Sequence, residues 1–216
     1  GMEILHTARV TLILAFLALP LLLVSFTAFI AVGLGNMGLF ILFIGQAILV
    51  PIVVGAFNWF VQKRFGPSPL PPSDIGQLVP SALITSSTTA PSYWMAHVLF
   101  FLGYLLANSV DIYNLPVDSS APDWQVRNRK MKAATVMSVI VLLLIVLPLL
   151  RKIVTGTETW GGIALAFISC GTLGYGWYQF AAQCGARASD VFGIVQQMPP
   201  ASESSTPTTC VYVPKA

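Results

Sequence analysis

The sequence predicts an all-α, polytopic transmembrane protein of about five spans, with a proline-rich loop and a tail outside the bilayer. Hydrophobic residues fill 56% of the 216 positions and charged residues only 9%, where an ordinary soluble domain is about a quarter charged. Several apolar runs reach about 18 residues or more, the length a helix needs to cross hydrocarbon. None of them alternates with the period of two that a barrel strand would show, so backbone polar groups must be satisfied inside helices.

The first run, residues 10–33, is interrupted only by Pro20, Ser25 and Thr27. It is too long for a signal-peptide core and reads as a retained helix. Gly33, Gly35, Asn36 and Gly38 make a tight break, and residues 39–60 then return across the bilayer, completing an N-terminal hairpin over 1–61. Trp59 and Phe60, followed by Lys63 and Arg64, mark its interfacial exit. Residues 62–92 hold Pro67, Pro69, Pro71, Pro72, Pro80 and Pro91 among serines and threonines. That density precludes a long helix, so the segment is expected to be a loop outside the membrane.

Three further helices are expected within 93–182. The run over 93–110 is the most polar, and Tyr93, His97, Tyr104, Asn108 and Asp111 are spaced by 4, 7, 4 and 3 residues. That spacing gathers them on one helical face. Polar groups at membrane depth face protein or water, so the stripe should point into the bundle or towards a partner. It serves either as a ligand, proton or ion path or as interhelical hydrogen bonding, with Tyr93 and Asp111 at the two interfaces. Residues 112–131 read as a connector. Residues 133–150 are the most uniformly aliphatic run, ending at Pro148 before Arg151 and Lys152, and look lipid-facing.

The fifth run, 160–182, carries Gly162, Ala166, Cys170 and Gly174 at every fourth position. Such a ridge of small side chains lets two helix backbones approach closely in lipid. Trp160, Trp177 and Tyr178 bracket it as aromatic belts. The tail, 183–216, combines a short amphipathic stretch over 187–197 with a Pro, Ser and Thr segment that cannot build a core alone. Residues 210–213 could add a strand to a neighbour's sheet edge.

Composition also excludes several chemistries. The net charge is +3, and the densest basic cluster, Arg127, Arg129, Lys130 and Lys132, flanks an apolar run as a membrane anchor does. Nothing calls for nucleic acid. Of the three cysteines only Cys184 and Cys210 could pair, and none has metal spacing. No phosphate loop, dinucleotide fingerprint, zinc motif or nucleophile elbow occurs, so neither a catalytic residue nor a cofactor is expected. A haem held by two histidines would need His6 and His97 at one depth. No acidic residue lies mid-run, which argues against a proton-coupled carrier.

Pro91-Ser92-Tyr93-Trp94, then His97, Phe100-Phe101, Gly103 and Asn108, Tyr113-Asn114 and the small-residue fifth helix form a pattern. It resembles multi-pass membrane proteins of large icosahedral DNA viruses of algae and protists, over residues 91–197. The resemblance implies a component of the virion's internal membrane, one of the minor capsid proteins that tie that membrane to the shell. Two functions therefore compete. One is a non-enzymatic structural membrane protein whose partners are lipids and other membrane or capsid proteins. The other is a small channel, carrier or respiratory-complex accessory subunit.

Overall fold

The computed structural model describes residues 1–65, 92–117, 119, 121–155, 158, 160–185 and 191–193. Among them every regular element is helical. The chain opens with α1 (Met2–Leu17) and α2 (Leu19–Leu34), which meet at Ala18 with a bend of 71°. The single helix expected over 10–33 is therefore two. Pro20 supplies the reason, since it has no N–H to give the Phe16 carbonyl four residues back and its ring crowds that turn. Trp94 Nε1 donates to the Phe16 oxygen at 2.9 Å, which also accepts a backbone N–H at the helix end, and the two rings pack 5.1 Å apart.

The predicted break between the first two runs falls on two residues. Gly35 ends α2 in the left-handed region, with φ 61°, a conformation glycine reaches without a Cβ clash. Asn36 then caps α3 (Met37–Ile44), its side chain accepting from the Leu39 N–H at 3.1 Å. A π turn (Gly45–Leu49) carries α3 into α4 (Val50–Phe65). Here again a proline is the cause. Pro51 cannot bond the turn behind it, and the Val50 N–H reaches back five residues to the Gly45 carbonyl. Because α4 continues to Phe65, it takes the first residues of the predicted loop. The loop's six prolines lie outside the described residues.

Ser92 caps α5 (Tyr93–Tyr113), its Oγ accepting from the Met95 N–H at 3.1 Å. The next helix, α6 (Asp123–Thr155), starts well before the expected position and passes through Pro148 instead of ending there. The basic cluster consequently sits in the first turns of α6 and not in a connector. Arg129 Nη2 donates to the Leu115 carbonyl at 2.7 Å, and Lys130 Nζ lies 5.4 Å over the Tyr113 ring. After it come α7 (Trp160–Ala166), a second π turn (Phe167–Gly171) and α8 (Thr172–Gln183). Ser169 Oγ donates to the Leu165 carbonyl at 2.6 Å and Thr172 Oγ1 to that of Ile168, which satisfies acceptors around the widened turn.

Side-chain contacts set the direction of each rod. Tyr104 reaches Gly38 near the start of α3, so α3–α4 run opposite to α5. Ser92 meets Glu158 at one end and Asp111 meets Tyr178 at the other, so α7–α8 run parallel to α5. Arg151 over Trp94 and Arg129 at Leu115 make α6 the antiparallel return between them. The result is an up-and-down bundle around α5, whose Trp94, Met95, Val98, Leu99 and Phe100 are 1% exposed or less.

Among the described residues three helices are long and apolar enough to cross a membrane, Met37–Phe57, Tyr93–Tyr113 and Asp123–Val154, and the bent pair α1–α2 adds a fourth if counted as one span. That measure supports three or four of the about five spans expected. The α7–α8 rod does not join them, being rich in Gly, Tyr and Trp and so less apolar. Of the predicted amphipathic stretch only 191–193 are described, and they form a turn and bend with Val191 and Phe192 half-buried against the bundle. The proposed strand at 210–213 lies outside the described residues, as does Cys210, while Cys184 is exposed.

Candidate functional site

The polar stripe on α5 is the feature that asks for a function, because every polar group placed inside an apolar bundle must find a partner or carry a desolvation penalty. The structure turns the stripe inward. Tyr93, His97, Tyr104 and Asn108 are all buried, and Asp111 is half-buried at the end of the helix. Tyr104 donates to the Gly38 carbonyl at 2.6 Å, bonding α5 to an acceptor in the first turn of α3. Asn108 Nδ2 donates to Tyr178 Oη at 3.3 Å, and Tyr178 Oη donates to Asp111 Oδ2 at 2.8 Å. The rings of Tyr104 and Tyr178 meet edge to face at 5.3 Å, so the lower stripe is one network joining α3, α5 and α8.

Tyr178 was expected in an aromatic belt, yet it is 1% exposed. Its neighbour Trp177 also turns inward and donates from Nε1 to the Ile41 carbonyl at 2.8 Å. A signal for Tyr178 was present in the sequence. It lies four residues beyond Gly174 and so continues the small-residue ridge on the same face. Of the predicted belt, only Trp160 stands largely exposed, with Lys152 Nζ 5.0 Å over its ring.

The ridge itself lies against the central helix. Gly162, Ala166, Cys170 and Gly174 are all buried, and a Cβ added at Gly174 would fall onto the Phe100 carbonyl. On the opposite side, a Cβ at Gly103 would fall onto the carbonyl of Gly171. One glycine from each side, Gly103 of α5 and Gly174 of α8, thus brings α5 into direct backbone contact with the π turn and α8. Close approach of this kind replaces side-chain interdigitation with backbone dispersion and weak Cα–H contacts.

At the upper end a second polar group, absent from the predicted stripe, closes the bundle. Ser92 Oγ donates to Glu158 Oε1 at 2.5 Å, Arg151 Nε lies 3.6 Å from the same oxygen, and Lys152 Nζ donates to the Glu158 carbonyl at 3.0 Å. The Arg151 guanidinium also stacks 5.1 Å over Trp94. Glu158 sits in what reads as a short polar linker, and nothing in the sequence marks it as buried.

Between the two groups lie His97 and Gln46, 1% and 0% exposed. Neither ring nitrogen of His97 and neither amide atom of Gln46 has a hydrogen-bond partner among the described residues. Gly45, next to Gln46, faces the ring of Phe100, which lies three residues beyond His97. His6 stands exposed on α1 while His97 is enclosed, so one histidine is outside the bundle and the other within it. Among the described residues no cluster of His, Cys, Asp and Glu could hold a metal ion. No family model, curated protein or solved structure matches the chain.

Proposed function

We propose that the protein is a non-enzymatic structural component of a membrane, crossing it five times as α2, α3–α4, α5, α6 and α7–α8. One observation carries the reading: the polar side chains at both ends of the central helix are engaged in bonds that join helices. Tyr104, Asn108 and Asp111 tie α5 to α3 and α8, while Ser92 and Glu158 tie α5 to the link between α6 and α7. The glycine contacts at Phe100 and Gly171 close the backbone seam between α5 and α8. Dimensions agree, since 21 residues of α5 rise about 31 Å, close to the hydrocarbon thickness. Basic and aromatic residues gather at both ends, with Arg151, Lys152 and Trp160 at one and Tyr113, Arg129 and Lys130 at the other.

The resemblance over residues 91–197 makes the internal membrane beneath the capsid of a large DNA virus the setting we propose, with the proline-rich segments binding neighbouring shell or membrane proteins. Cross-linking and purification from the native source should then recover the chain in fixed stoichiometry with shell or scaffold proteins. A second reading, a small channel or carrier, is favoured by His97 and Gln46, whose polar atoms lack partners among the described residues. An ion conductance abolished by His97→Leu or Asn108→Leu, a bound haem, or recovery with an electron-transfer complex would replace the structural reading with this one.

A further inference from the structure

Helix α1 meets the bundle at its C-terminal end, where Phe16 packs on Trp94. Residues 1–15 are all exposed, and α1 leaves the bundle at a bend of 71° from α2. The bend is held from outside its own helix pair. Trp94 donates to the Phe16 carbonyl at the break, Arg151 lies over the Trp94 ring, and Glu158 binds Arg151. Two devices, a proline and an indole supplied by α5, therefore fix the direction in which α1 departs.

The height of the break matters as much as the angle. It lies at Trp94, beside Ser92, Arg151 and Glu158, the charged upper edge of the bundle. Below it α2 runs parallel to α5, and its 16 residues cover about 24 Å before the hairpin at Gly35. That leaves only about 6 Å of the hydrocarbon core to α1. Its own 16 residues are also about 24 Å long, but at 71° to α2 they change height by only about 8 Å. The sense of the bend places the Met2 end above the break. Polarity is graded to match: Glu3, His6, Thr7 and Arg9 occupy the raised half, and residues 10–17 are apolar apart from Thr11.

We propose that α1 is an interfacial helix that rests in the headgroup layer of the bilayer, its apolar half against the acyl boundary and its charged half among the headgroups. This rests on the membrane reading above and adds to it an occupant for the exposed face: lipid, not a second protein. Exposed Leu5 and Leu12, at 72% and 71%, are then lipid contacts.

The test is a depth measurement on the full chain in phosphatidylcholine–phosphatidylglycerol vesicles, with Cys184→Ala and Cys210→Ala and a single spin label on Leu5→Cys, Leu12→Cys or Phe26→Cys. Collision rates with oxygen and with a water-soluble nickel chelate report each label's depth. Phe26, 66% exposed midway along α2, should be deep. Labels at 5 and 12 should be shallow and differ in depth by about 3 Å, against about 10 Å if α1 continued the line of α2. A 10 Å difference overturns the proposal, and so do α1 labels that meet the nickel chelate at the same rate with and without lipid. In both cases a deep Phe26 label leaves the membrane reading standing. Should the Phe26 label be as open to the chelate as the others, the membrane reading itself falls and α1 with it.

Discussion

Helices α5 and α6 are neighbours, both long and apolar enough to cross a membrane, and they occupy opposite environments. Of the three candidate spans, the least apolar, α5, is the most buried, and the most apolar, α6, is the least. In water the ranking would be reversed. In lipid, apolar side chains gain nothing by leaving the solvent, so helices associate through close packing and polar bonds. The helix with Tyr, His, Asn and two-sided glycine contacts becomes the centre. The helix of Val, Leu and Ile becomes the rim, where Val139, Leu142 and Ile145 are half or more exposed.

The contrast can be broken most severely at the glycine seam. Gly174→Leu should destabilise the protein by about 3 kcal/mol, because its Cβ meets the Phe100 carbonyl and not a movable side chain. Gly176→Leu, two residues along the same helix with open space around it, should be neutral or mildly stabilising. Denaturation by SDS in mild detergent would read both. Equal effects would mean that α5 and α8 are not in backbone contact.

A smaller loss is expected at the upper polar group. Glu158→Gln removes the charge facing Arg151, with the two side chains 4% and 16% exposed, and should lower stability by about 2 kcal/mol. Arg151→Gln with Glu158→Gln should lower it by less than the two single losses added together, since the attraction between the pair is lost only once. Smaller again, Tyr104→Phe deletes the bond to Gly38 and should destabilise by about 1 kcal/mol. Thermal unfolding in detergent separates these from wild type.

The smallest effect belongs to the rim and sharpens the comparison most. Leu142→Ala, at a position 59% exposed on α6, should change stability by no more than about 0.5 kcal/mol. A loss comparable to that at the glycine seam would identify the outer face of α6 as a protein interface and not a lipid surface. The groove there, lined by Ala134, Met137, Ser138, Val141, Leu142 and Ile145, would be its first place to look.

Residue order alone determined the helical class, the break at Gly35 and Asn36, the face shared by His97, Tyr104 and Asn108, and the small-residue ridge, because each depends on local period or on backbone freedom. It also contained Pro20 and Pro51, but not what they would do. A proline can kink a helix or be absorbed by a widened turn, and the choice depends on the neighbours. At Pro20 the indole of Trp94 was available to accept a bend. At Pro51 the chain instead widened into a π turn, and Gly45, where that turn begins, lies against Phe100 and Trp177. The burial of Glu158, the inward turn of Tyr178 and the central place of α5 were likewise settled only in three dimensions. Each depends on a partner some 66 to 70 residues away in the chain, and periodicity carries no information over that separation.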